Sequence, residues 1–231
     1  MDDVVRPILD EAERDPNVVG VYVKGSHATG TADELSDWDV VVVIIEGESS
    51  VSRSEELDLV RATLAELRAA SSWELPAIAY ARVLLDKTGE VAALVESTRS
   101  VERDELAELY DGYLNDFYRS LKAWRRGREL GARIKGGRSL WWLGQFLLGL
   151  EGVRAPYPHA WGGRLGDLEP LILEVARSGH PRRQQELQAA VEQVATAHGF
   201  RDVYDAWDGD IERVMEFDFD EFHAAAESNE Q

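Results

Sequence analysis

The chain has 231 residues, with 44 Asp and Glu against 25 Lys and Arg, so its formal charge is 25 − 44 = −19. It is long enough to bury a substantial core, and 44% hydrophobic with 9% aromatic content excludes wholesale disorder. The absence of cysteine rules out a disulfide scaffold, a thiol nucleophile and a thiolate metal site. No apolar run reaches the roughly 18–20 residues that cross a bilayer, and Met1-Asp2-Asp3 lacks the apolar stretch of a secretory signal. The expectation is a soluble, cytoplasmic protein. A surface this acidic repels nucleic-acid backbone and steers polycations inward, although acid excess also serves solubility alone.

In chain order, residues 2–15 read as a helix closed by the Pro16-Asn17 turn. Val18 to Lys24 (VVGVYVK) has strand composition, and Gly25 to Ser36 is a small, polar loop or short helix. Val40 to Ile45 (VVVVII) is a continuous apolar run, too short for a helix and consistent with a strand buried on both faces. Ser52-Arg53-Ser54-Glu55 has capping-box form, and Leu57, Val60, Leu64 and Leu67 then follow at helical spacing. Ala77 to Leu85 and Val91 to Val95 read as strands joined by the Asp86-Lys87-Thr88-Gly89 turn. The first half is thus α, β, β, α, β, β.

From about residue 99 the pattern becomes helical. Tyr110, Leu114, Phe117, Leu121 and Trp124 define an amphipathic helix over 103–130, and the all-round apolar Ser139 to Leu150 predicts the central helix of a bundle. Further helices are expected over 167–178 and 182–198, before an acidic tail dotted with aromatics, Met215 to Phe222. The predicted domains are 1–98, an α/β (α+β) unit with a small mixed sheet, and 99–231, an all-α helical bundle.

Chemistry concentrates in Val23-Lys24-Gly25-Ser26, ten intervening residues, then Asp37-Trp38-Asp39-Val40. Side chains two apart on a strand share a face, so Asp37 and Asp39 project together. Two adjacent carboxylates repel unless a cation lies between them, and oxygen ligands favour Mg²⁺. Gly25 lets backbone approach a phosphate closely, and Ser26 offers a hydroxyl and an N–H. No Walker loop is present. The five histidines lack metal-ligand spacing, and no G-x-S-x-G elbow occurs.

This string resembles the Gly-Ser…Asp-x-Asp signature of the DNA polymerase β-like nucleotidyltransferases. The segment KGSHATGTADELSDWDVVVV is similar to their minimal and antibiotic-modifying members. Residues 113–123, the run at 125–133 and SLWWLGQFLLGL resemble the helical substrate domain of aminoglycoside and lincosamide nucleotidyltransferases. The resemblance implies transfer of a nucleoside monophosphate, with AMP from ATP the expected case, onto a hydroxyl of a small cationic acceptor such as an aminoglycoside, with release of pyrophosphate. It also implies one or two Mg²⁺ on Asp37 and Asp39, phosphates held by Gly25 and Ser26, and an acceptor lying between the domains. A protein-modifying minimal transferase and a non-catalytic nucleotide-binding member are the alternatives, and a homodimer is allowed.

The superfamily usually adds a third carboxylate from a strand after the D-x-D strand. The strand read over Ala77 to Leu85 contains none; Asp86 at its end is assigned the base, with Glu74 and Glu96 as neighbours, although Asp86 equally suits a turn. Residues 119–138 carry eight basic residues and one acid, Glu129. Arg119, Lys122 and Arg126 fall on one helical stripe, and Lys122 is the expected nucleotide ligand; local pairing with surface acids is the competing explanation.

Overall fold

The computed structural model describes residues 4–51, 57–71 and 73–219, which divide into two compact units, Met1–Ser100 and Val101–Gln231. The first unit holds a four-stranded mixed sheet with helices, and the second is helical.

In the first unit, α1 (Arg6–Arg14) leads into β1 (Val18–Lys24), the four-residue α2 (Ser26–Thr29) and β2 (Trp38–Ile44). Then come β3 (Leu57–Thr63), α3 (Leu64–Arg68), α4 (Leu75–Ala79), β4 (Arg82–Asp86) and α5 (Glu90–Arg99). The sheet order is β3-β2-β1-β4; β1 pairs antiparallel with β2 and β4, and β2 pairs parallel with β3. One face buries Val21, Val23, Val40, Val42, Leu57 and Leu59 under Ile8 and Ala12 of α1. The other buries Tyr22, Val41 and Val43 under Ile78, Val91, Leu94 and Val95. A sheet covered on both faces explains the unbroken apolar run in β2.

Three sequence expectations are corrected here. The helix expected from Leu57 is strand β3 up to Thr63: Leu57 and Leu59 are buried while Asp58 and Val60 are exposed, an alternation of period two. The helix begins only at Leu64, where Thr63 and Glu66 form the capping box. The Ser52–Glu55 box lies outside the described residues. Ala77 to Leu85 is not one strand but the end of α4 and most of β4. Val91 to Val95 is helix α5, whose buried residues Val91, Leu94, Val95 and Thr98 recur at i, i+3, i+4, i+7. The expected hairpin turn instead launches that helix.

The second unit is built on an antiparallel pair, α6 (Arg103–Arg125) and α7 (Glu129–Gly149), joined at Gly127 with φ +66°. The single helix expected over 103–130 therefore breaks there, and the apolar segment at 139–150 is the second half of α7. Helices α8 (Glu169–Ser178), α9 (Pro181–Ala197), α10 (Arg201–Asp205) and α11 (Asp210–Met215) complete it. Tyr110, Phe117, Leu121, Phe146, Leu187 and Ile211 lie in its core, and Phe219 of the tail is buried there too. Among the described residues no helix is long and apolar enough to cross a membrane.

Candidate active site in the first unit

Asp39 alternates with Val41 and Val43, so it projects from the same sheet face, beyond the part those valines bury. Its register partner on β1 is Lys24, and on β3 it is Asp58. Residues directly opposite on neighbouring strands point to one side, at strand spacings of about 4.8 Å. Lys24, Asp39 and Asp58 therefore form a row across the sheet, and Asp37 lies two residues upstream of Asp39. Asp58 and Asp37 are exposed, whereas Lys24 and Asp39 are half-buried.

Gly25 joins this group to the turn after β1. Its φ is +68°, and a Cβ there would lie 2.6 Å from Asp39 Oδ2. A glycine is needed both for the turn and for the carboxylate packed against it. Ser26 follows at once, half-buried, so the Gly-Ser turn and the acids are one constellation.

Burial pushes the Asp39 carboxyl above its ordinary value; Lys24 opposes the shift, Asp37 and Asp58 add to it, and His27 opposes it. Among the described residues no three acidic or histidine side chains converge closely enough to enclose a metal ion. The acids form an open row, and Mg²⁺ suits such a row: it keeps several waters and takes phosphate oxygens alongside one or two carboxylates. The donor set fits the ion on that basis.

Sequence reasoning missed Asp58. The signal was present in Leu57-Asp58-Leu59, a carboxylate between two buried leucines, but helical spacing through the same leucines hid it.

Asp86 is not brought to this group. It pairs with Gly20 at the far end of β1, and its carboxylate accepts N–H groups of Gly89 (2.8 Å), Ala92 (2.9 Å) and Thr88 (3.2 Å). It shapes the start of α5. Glu74 accepts the backbone N–H and hydroxyl of Ser71, and Glu96 is an exposed residue of α5 that pairs with Arg99.

Residues 5–79 match the family model of the nucleotidyltransferase domain. The match includes the Gly25-Ser26 turn, Asp37, Asp39 and Asp58, and it ends before Asp86. No curated protein matches the sequence. A nucleotidyltransferase-like protein from Exiguobacterium sibiricum 255-15 superposes at a TM-score of 0.49 and 14% identity, over 91% of this chain and 77% of that one. A toxin–antitoxin structure with AMP-PNP superposes at 0.29 and 19% identity, over 41% of this chain and 80% of that one. Neither likeness is close enough to say what this chain does.

Lys122 belongs to the second unit. Its ammonium donates to Tyr118 Oη at 2.9 Å and lies 4.4 Å from that ring's centroid. Of its basic neighbours, Arg119 donates to Asn115, and Arg133 to Glu129. Lys135 and Arg138 both bind the buried Asp116. Local pairing thus accounts for much of the basic run.

Proposed function

We propose that the protein transfers a nucleoside monophosphate, AMP from ATP in the first instance, onto a hydroxyl of a small cationic acceptor of the aminoglycoside type, releasing pyrophosphate. The observation that carries this reading is the row Lys24–Asp39–Asp58 with Asp37 beside it, abutting the Gly25-Ser26 turn within a stretch that matches the nucleotidyltransferase domain. Asp37 and Asp39 would hold Mg²⁺, which when bound neutralises charge at the transferring phosphorus. Gly25 lets the Asp39 carboxylate pack against the turn, and the Ser26 hydroxyl and N–H would donate to oxygens of the leaving phosphates. Asp58, exposed at the end of the row, would take the acceptor's proton as its oxygen bonds to the α-phosphorus and the bond to pyrophosphate breaks. The net charge of −19 favours a cationic acceptor through long-range attraction.

Pyrophosphate release tests the reading: the protein with Mg²⁺, each of the four ribonucleoside triphosphates in turn, and a panel of aminoglycosides and lincosamides. The expected result is release with ATP that depends on one cationic compound. Triphosphate binding without release for any compound would overturn the acceptor assignment and favour a protein acceptor or a nucleotide-binding role.

A further inference from the structure

Between the two acids of the D-x-D strand stands Trp38, and immediately after the Gly25-Ser26 turn stands His27. Their rings stack at a centroid separation of 3.8 Å and an interplanar angle of 12°. Trp38 is half-buried and packs on the α1-side cluster, the face opposite to that of Asp39, as strand alternation requires. Ala28, the residue after His27, packs on the same cluster. His27 Nε2 also lies 3.4 Å from the carbonyl oxygen of Ser36, next to Asp37.

α2 is only one turn long, and an isolated turn of that length does not hold itself in helical form. Its placement must come from outside its own backbone bonds. Ala28 ties the turn to the α1-side cluster, and the His27–Trp38 stack ties it to β2 itself, since Trp38 stands between the two acids while His27 is bonded directly to Ser26. A shift of the ring moves Ser26 and Gly25 relative to Asp37 and Asp39.

We propose that the His27–Trp38 stack is a positioning device that sets the phosphate-holding turn in register with the D-x-D carboxylates, so that His27 acts as a ring rather than as an acid, base or ligand. This inference rests on the nucleotidyl-transfer reading. It assigns a function to two residues that touch neither phosphate nor metal in that scheme.

The test compares His27→Ala, His27→Gln, His27→Phe and Trp38→Leu with wild type, using pyrophosphate release and the ¹H–¹³C shifts of the His27 ring. Misplacement of reacting groups by about 1 Å costs roughly 10²-fold in rate. Loss of kcat on that order is expected for His27→Ala, His27→Gln and Trp38→Leu, with KM for the triphosphate little changed, because the turn keeps its groups and loses only their placement. His27→Phe retains a stacking ring and restores most of the loss. In wild type the His27 ring protons resonate upfield under the indole, and Trp38→Leu removes that shift in a protein that still melts cooperatively.

Full activity in His27→Ala would overturn the inference, and so would His27→Phe as impaired as His27→Ala, since a stacking ring would then not suffice and the imidazole nitrogens, including the Nε2 contact to Ser36, would be what counts. An unshifted His27 ring in wild type would overturn it without reference to activity. Wild type that turns over no triphosphate overturns the parent reading and this inference together; active wild type with unaffected variants overturns this inference alone.

Discussion

A methyl group added at Gly25 would sit 2.6 Å from Asp39 Oδ2, on a backbone whose φ of +68° L side chains rarely adopt. Gly25→Ala must therefore move the carboxylate or open the turn, and we expect turnover to fall by roughly 10²-fold while the fold persists, checked by pyrophosphate release beside a thermal melt. Asp39 carries the opposite kind of strain. Its carboxyl value in the fold is raised, first by burial and with Asp37 and Asp58 adding to it. Stability therefore falls as pH rises from the unfolded carboxylate value through the folded one, and at neutral pH the metal-free protein carries an anion that its surroundings disfavour. Asp39→Asn removes that penalty. Without metal at pH 7 this variant should melt higher than wild type by about 1–4 °C, a gap that closes below the ordinary carboxylate range, and it should be inactive. Mg²⁺ should raise the melting temperature of wild type and leave the variant unmoved. Both residues stood out in the sequence, because Gly-Ser and D-x-D are local patterns. The packing of one against the other was not legible, since it depends on β1 and β2 lying side by side.

Among the elements, β3 stands where the sequence suggests a helix, and β4 is shorter than the strand it suggests. The stretch from Leu57 to Leu67 carries two periods at once: Leu57 and Leu59 alternate with Asp58 and Val60, while Leu57, Val60, Leu64 and Leu67 also keep helical spacing. Parallel pairing with β2 decides in favour of the strand, and the Thr63–Glu66 box then starts α3. That pairing brings Asp58 level with Asp39. β4 pairs with the other side of β1 and ends in Asp86, whose oxygens are taken by N–H groups at the start of α5. A paired substitution separates the two acids. Asp58→Asn should reduce turnover by at least roughly 10²-fold with little change in melting temperature. Asp86→Ala should cost about 1 kcal/mol of stability through the lost cap and leave turnover per folded molecule unchanged. Pyrophosphate release and denaturant titration of both proteins check the contrast.

Across the whole molecule, charge is handled differently in the two units. The first keeps acids close together on an open row. The second surrounds a fully buried acid, Asp116, with donors: Lys135 at 2.9 Å, Arg138 at 2.5 Å and Trp142 Nε1 at 3.1 Å. Burial opposes ionisation of Asp116, but the bonds from Arg138, Lys135 and Trp142 outweigh it and hold its carboxyl below the ordinary value. Its contribution is therefore present at neutral pH and is lost as pH falls through that lowered folded value. Because both cations remain partly open to water, Asp116→Asn should cost about 1–3 kcal/mol rather than the larger sum for a sealed ion pair. Denaturant unfolding at pH 7 measures this, and the difference from wild type should shrink under acid. This cluster, with the contacts of Arg119, Arg125 and Arg133, engages most of the basic run that on sequence alone suggested a nucleotide ligand.

What the amino-acid sequence determined by itself was the chemistry available and the broad architecture. Gly25-Ser26, Asp37 and Asp39 announce themselves within fifteen residues, the apolar runs of β1 and β2 leave no alternative to strands, and the helical period of α6 to α9 survives any arrangement. Only the tertiary structure decided which further acid joins them. Strand register is a long-range pairing, and one change of partner carries an acid to Asp39 or away from it. Asp58 reaches Asp39 because β3 lies beside β2. Asp86, for all its promise in the linear pattern, lies at the far end of β1 with its oxygens already bonded.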